Sequence, residues 1–275
     1  MKEIKKKAIL VVSFGTSHAE TRDKTIGAIE KDIAAAYPEY EIRRAFTSRM
    51  IIKVLANRDG ISVDNVTEAM ERLVEEDFQT VIVQPTHVIN GDMNDEMVAV
   101  IRSYMDKFEE IKIGQPLLAH TEDYHKVIRA IIEQFSDIGD NESLVLMGHG
   151  TGHHINTVYA TLDYQFKAMG HSNVFVGTVE AYPGVYAVAK QVKLYNPQKV
   201  ILLPLMIVAG DHANNDMAGD GDDSWKSIFE RAGYEVKCIL QGLGEVQAIR
   251  DIFLEHISAA MSEPKERLTV VKCAI

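Results

Sequence analysis

Two stretches of this chain read as copies of one another, and a duplicated unit of strand, turn and helix leaves few folds open. Val81-Ile82-Val83-Gln84-Pro85-Thr86-His87-Val88-Ile89-Asn90-Gly91-Asp92 lies over Val200-Ile201-Leu202-Leu203-Pro204-Leu205-Met206-Ile207-Val208-Ala209-Gly210-Asp211, with five positions identical. Earlier, Val11-Val12-Ser13-Phe14-Gly15-Thr16 lies over Leu146-Met147-Gly148-His149-Gly150-Thr151. Two anchors in the same order indicate internal duplication. The offset falls from 135 at the first anchor to 119 at the second, so the first copy carries extra residues, which we place at 51–59.

Each copy alternates short β-rich runs with longer amphipathic ones, the pattern of helices packed around a parallel sheet. Strands are expected over 8–13, 41–45, 80–84 and 111–114, then 143–147, 174–177, 199–203 and 235–239. Helices are expected over 20–36, 62–76, 93–108 and 122–136, then 155–169, 184–194, 213–231 and 245–260. The expected fold class is therefore α/β, with two similar Rossmann-like lobes, each a four-stranded parallel sheet flanked by helices. The lobes are expected to divide the chain into 1–138 and 139–275, joined near 136–142. In such folds ligands bind at the carboxyl ends of the strands, here in a cleft between lobes.

A chain of 275 residues with 46% hydrophobic residues can bury a full core, and its net charge of −11 argues against a nucleic-acid backbone as partner. The lysine-rich start is followed by an apolar run too short for a signal sequence or a membrane span. Cys238 and Cys273 form no C-x-x-C, so neither a disulfide framework nor a thiolate metal site is expected, and a reducing cytoplasm fits best. A homo-oligomer is compatible with the sequence.

The copies are most informative where they differ. Phe14 corresponds to His149, Met93 to His212 and, more loosely, Ser48 to Glu180, so ligand-type side chains stand at strand ends of the second copy alone. Two imidazoles and a carboxylate suit a borderline divalent ion such as Co²⁺, Ni²⁺, Fe²⁺ or Zn²⁺, and three protein ligands leave positions open. Taken singly, each is as readily a hydrogen-bonded structural residue; their joint placement favours a site.

The run Gly148-His149-Gly150-Thr151-Gly152-His153-His154 has neither dinucleotide-binding nor phosphate-loop spacing, so its glycines are read as permitting a sharp turn and close approach to a flat ligand. His153 and His154 are read as helix-surface residues. Asp211 is a helix cap or an outer partner of an imidazole, and Asp216, Asp220, Asp222 and Asp223 form a solvated acidic face without EF-hand spacing. His87 stands at a strand end facing the expected cleft, whereas His18, His120, His125, His171 and His256 are expected at the surface. Arg43, Arg44, Arg49 and Lys53 either meet substrate carboxylates or form a solvated basic face.

Taken in order, Leu10-Val11-Val12-Ser13-Phe14-Gly15-Thr16-Ser17, Phe46-Thr47-Ser48, His87-Val88-Ile89-Asn90-Gly91-Asp92, Met147-Gly148-His149-Gly150, Val179-Glu180-Ala181-Tyr182-Pro183 and Pro204 through His212 closely resemble the anaerobic cobalt chelatases of cobalamin biosynthesis, the sirohydrochlorin cobaltochelatases. The resemblance runs from about residue 7 to about residue 260. It implies a bilobal chelatase fold with the tetrapyrrole between the lobes, and a metal site of His149, Glu180 and His212. It also implies a cytoplasmic enzyme that takes the divalent ion as substrate, Co²⁺ first and Fe²⁺ or Ni²⁺ as alternatives, with sirohydrochlorin or precorrin-2 and no organic cofactor. Phe14, Gly15, Thr16, His87, Val88 and Met206, on the strand-end loops, are the expected contacts with the ring.

Insertion requires loss of two pyrrole protons and stripping of water from the ion. His149 is the expected proton acceptor, because an imidazole titrates near neutrality. It cannot accept a proton at a nitrogen that binds metal, so the roles alternate or Glu180 shares them. The alternatives are a ferrochelatase or nickel chelatase, a zinc hydrolase with the same three ligands, and a tetrapyrrole or metal carrier without turnover.

Overall fold

The computed structural model describes residues 5–139 and 141–263; the start of the lysine-rich segment and Cys273 lie outside them. Strands β1 (Lys7–Ser13), β2 (Glu41–Phe46), β3 (Thr80–Pro85) and β4 (Glu110–Ile113) form one parallel sheet in the order β2-β1-β3-β4. Strands β5 (Glu142–Gly148), β6 (Val174–Thr178), β7 (Lys199–Pro204) and β8 (Glu235–Cys238) form a second in the order β6-β5-β7-β8, also parallel. The registers coincide as well. Val12 pairs with Pro85 as Met147 pairs with Pro204, and the amides of Thr86 and Leu205 each donate to the carbonyl of Val12 or Met147 at 2.8 Å. The sequence repeat is thus a structural one.

Side chains alternate across each sheet, as the period of two demands. Ala8, Leu10 and Val12 enter a cluster on one face of β1, while Ile9 and Val11 join Leu144, Leu146, Ile201 and Leu203 in a core shared by both sheets. Val145 and Met147 face a third cluster beyond the second sheet. Strands apolar on both faces are what a sheet covered on both sides requires.

The helices are α1 (Ala19–Lys24), α2 (Ile26–Ala36), α3 (Arg49–Val54), α4 (Val66–Glu75), α5 (Asp92–Arg102), α6 (Thr121–Gln134), α7 (Thr157–Ala168), α8 (Val185–Tyr195), α9 (Trp225–Arg231) and α10 (Gln247–Ser262). The last of them, α10, packs against α2, β3 and β4 of the first sheet and against α6. Residues 51–59 fall within α3 and the wider π turn Leu55–Asp59 that continues it. The second sheet has no counterpart, since β6 leads through a short loop to α8.

Several helices differ from the sequence expectation. The stretch 20–36 breaks at Thr25, whose hydroxyl donates to the Thr21 carbonyl at 2.6 Å and whose ψ is −80°. A helix over 93–108 ends at Arg102, and turns carry Phe108 into the core. The stretch 62–76 starts only at Val66, set by a capping box in which Asn65 and Glu68 exchange bonds of 2.8 and 3.1 Å. The long helix expected over 213–231 is a π turn at Ala213–Met217, an irregular acidic stretch, and α9. The intervening 219–223 has no apolar side chain to bury, and Ser224 starts α9 afresh by accepting from the Ser227 amide at 3.1 Å. No helix among the described residues is long and apolar enough to cross a membrane.

Candidate metal centre

The loop after β5 must turn hard at the sheet's edge. Gly150 has φ of +85°, a conformation side chains resist. A Cβ on Gly148 would lie 2.2 Å from Cε1 of Tyr159, a ring buried on α7. That ring supports the turn, its hydroxyl accepting from the Gly150 amide at 3.4 Å; burial raises the phenol's pKa. The sheet pairing then continues past β6, as Val179 donates to the Gly148 carbonyl and Glu180 to that of His149 at 2.9 Å. This continuation sets the Glu180 carboxylate beside the His149 ring. His212 enters from the loop after β7, at the start of the π turn.

The three side chains converge, and each offers a ligand atom within 4.8 Å of the others. Glu180 Oε2 lies 3.7 Å from His149 Nδ1, and Glu180 Oε1 lies 3.7 Å from His212 Nε2. The two imidazoles meet edge to face, with centroids 4.8 Å apart. Among the described residues no other trio of histidine, cysteine or carboxylate groups comes as close.

Hydrogen bonds choose the nitrogens. His212 Nδ1 is 2.8 Å from Asp216 Oδ2; a carboxylate only accepts, so Nδ1 carries the proton and Nε2 presents its lone pair toward Glu180. His149 Nδ1 donates to the Gly150 carbonyl at 2.8 Å, which leaves Nε2 as its ligand atom. The outer partner of His212 is therefore Asp216, assigned from sequence to a solvated face; its signal was the four-residue spacing that puts two side chains one helical turn apart. Asp211 instead bonds His18 Nε2 at 2.8 Å.

The trio opens into a cleft of about 620 Å³ between the lobes. Of the expected ring contacts, Phe14, Gly15, His87, Val88 and Met206 line it. Thr16 does not; it is buried, its hydroxyl accepting from the His18 amide and its carbonyl from Arg22. The Phe14 ring lies 6.3 Å from that of His149, centroid to centroid, so the residue replaced in the repeat faces its replacement across the cleft. Burial pushes the His87 imidazole down to about 4, and its Nδ1 meets no partner among the described residues. No lysine or arginine among the described residues lines the cleft.

Two polar clasps hold the lobes together at its mouth, one the repeat image of the other. His18, after β1, reaches Asp211, after β7. Thr151, after β5, donates to Asp92 at 2.9 Å, and His153 Nε2 lies 3.6 Å from Asp95, both acids on α5. His153 and His18 thus serve inter-lobe contacts rather than a free surface. His256 also departs from expectation. It is 6% exposed on α10, its two ring nitrogens 3.0 Å from the Gln115 carbonyl and 3.1 Å from Asp123. Arg43 is taken up by Glu41 and Glu76, and Arg44 by Glu30, so neither is available to a ligand.

A family profile described as "Cobalt chelatase (CbiK)" matches residues 7–262. The chain belongs to this chelatase family. A sirohydrochlorin cobaltochelatase of Salmonella typhimurium is 42% identical over 257 residues, covering 94% of this chain and 97% of that one. Sirohydrochlorin cobaltochelatase CbiKC of Nitratidesulfovibrio vulgaris is 30% identical over 260 residues, covering 94% and 91%. Among solved structures, the sirohydrochlorin chelatase SirB of Bacillus subtilis subspecies spizizenii in complex with cobalt superposes with a TM-score of 0.65 at 14% identity, covering 94% of this chain and 97% of SirB. That likeness, at such identity, is one of fold, and it shows the two-lobed α/β architecture shared by chelatases. This family member is a metal chelatase, and a divalent metal is its substrate.

Proposed function

We propose that this chelatase inserts Co²⁺ into sirohydrochlorin, or its precursor precorrin-2, in the cleft between halves 1–138 and 139–275, with His149, Glu180 and His212 as ligands of the incoming ion. The observation that carries the proposal is the convergence of these three donors on one wall of an inter-lobe cleft, in a chain 42% identical to a sirohydrochlorin cobaltochelatase. The same proposal takes the cytoplasm as its compartment and requires no organic cofactor.

Three protein ligands leave coordination positions for ring nitrogens, so the ion can exchange water and protein donors for the macrocycle stepwise. Each pyrrole N–H that becomes a metal ligand must release its proton. Once the ion has moved to the ring, the Nε2 lone pair of His149 stands on the face it left and accepts one proton; Glu180, bonded to no cation among the described residues, accepts the other. Val88 and Ile89 from one lobe and Met206 and Ile207 from the other supply apolar walls for the ring's faces, with Phe14 and Gly15 at the base.

The test mixes the protein with metal-free sirohydrochlorin and Co²⁺, Fe²⁺ or Ni²⁺ and follows the absorbance change of the ring. Catalytic turnover with Co²⁺ the fastest of the three is expected. Stoichiometric binding without turnover would make the protein a carrier. The H149A/H212A double variant should lose insertion while keeping its circular dichroism; undiminished rates would remove these residues from the site.

A further inference from the structure

The substrate of the proposed function is a macrocycle fringed with carboxylates, yet among the described residues the wall of the cleft holds Asp92 and Glu180 and neither lysine nor arginine. In a chain of net charge −11 those carboxylates must find their counter-charges beyond the cleft. One opening supplies them. A groove of about 490 Å³ lined by Met50, Lys53, Val54, Asn57 and Arg58 adjoins the cleft at Met50, which lines both. Its residues recur at spacings of three and four, so they form one face of α3 and the π turn that follows.

The cations here divide into two kinds. Arg58 is held by Asp59 and the Ser17 carbonyl. Lys53 and Arg49, one helical turn apart and exposed, have no acidic partner among the described residues, unlike Arg43 and Arg44 on the preceding strand. An arginine and a lysine left without counter-ions in an acidic protein, beside an apolar cleft mouth, make an anion-accepting edge. The edge is also one-sided, because this helix is the insertion that the second lobe lacks.

We infer that Arg49 and Lys53 bind peripheral carboxylates of the tetrapyrrole and so fix which edge of the ring faces the α3 side of the cleft. The inference rests on the proposed substrate and adds a specificity element to it. The apolar walls hold the ring by its faces and accept any rotation about its normal; a cationic edge on one side removes that freedom. Lys53 lines the groove, and Arg49 is exposed one helical turn before it on α3.

Binding of metal-free sirohydrochlorin, read by quenching of Trp225 or by ring absorbance, tests this in the full chain. Charge reversal in R49E/K53E should raise the dissociation constant and the KM for the ring about tenfold, as expected when two partly exposed ion pairs become repulsions. The Co²⁺ dissociation constant should not move. Added salt should weaken binding to the unmodified protein more steeply than to the variant. K31E, on the outer face of α2, reverses a single charge away from the cleft and should leave ring binding unaltered. R49Q/K53Q should fall between the two. If R49E/K53E keeps native circular dichroism and binds the ring within twofold of the unmodified protein, the inference is overturned while the proposed function stands. If the unmodified protein neither binds nor metallates the ring, the proposed function fails and the inference falls with it.

Discussion

His212 stands out through a single exchange within a repeat, since its counterpart in the first copy is Met93, a side chain with no strong donor for a hard or borderline ion. The same comparison singled out His149 against Phe14 and, less tightly, Glu180 against Ser48, so the three side chains that converge in the candidate centre were legible without coordinates. Asp216 was not. Its place within a run of acids concealed that it is one turn from His212, and only the 2.8 Å bond separates it from its neighbours. Replacing Asp216 by Asn frees the His212 ring to turn and to present the wrong nitrogen; Co²⁺ affinity should drop roughly 10- to 100-fold by competition against a chelator dye. Half-buried His87 carries a prediction of its own. Its pKa lies near 4, below the value of an unfolded histidine, so between those values the unfolded chain binds the proton that the folded one refuses. Stability should therefore rise with pH from about 4 to about 6.5, and H87L should flatten that slope in urea titrations at a series of pH values.

At the scale of elements, strands were read within a residue or two because β1, β3, β5, β6 and β7 are apolar on both faces, a signal set by covered sheets, while the edge strands β2, β4 and β8 carry charged residues among apolar ones. Helices were read less well where local bonds interrupt an amphipathic stretch, as at Thr25 and in the acidic run before Ser224. The misreading of His256 has a different origin. It shares a face of α10 with Ile249, Ile252, Phe253 and Ile257, all buried, so its period placed it inside although its chemistry suggested outside. It ties α10 to the N-terminus of α6, where Asp123 also accepts from the amides of His120 and Ala119. Removing one partner of such a buried pair leaves the other uncompensated, and H256A should lose about 3–5 kcal/mol in chemical denaturation. Burial raises the Asp123 carboxyl, but the bonds from His256 and from those amides outweigh it and hold the group below its ordinary value of 3.8. Its contribution is complete above that ordinary value and is lost as pH falls through the lower folded one, so D123N should show a shallower loss of stability on acidification. A smaller effect belongs to the capping box of α4, where N65A should cost about 1 kcal/mol.

Across the whole molecule, duplication explains the two clasps at the cleft mouth, since a contact from the first copy to the second has an image from the second to the first. Neither was visible in the sequence, because each joins residues from different copies and only the facing of the lobes brings them together. Removing one bond from each, in H18A/T151V, should lower the barrier to lobe separation by about 1 kcal/mol per bond, seen as faster hydrogen exchange of the cleft loops with global stability less affected. The position of α10 has a consequence for how the chain is made. The helix lying on β3, β4 and α2 follows every strand of both sheets in chain order, so a ribosome that has released only the first copy holds a sheet whose inner face still lacks that helix. Such a nascent half should bind chaperones through that face and settle only after α10 emerges, so that the first sheet is completed by residues made after the second.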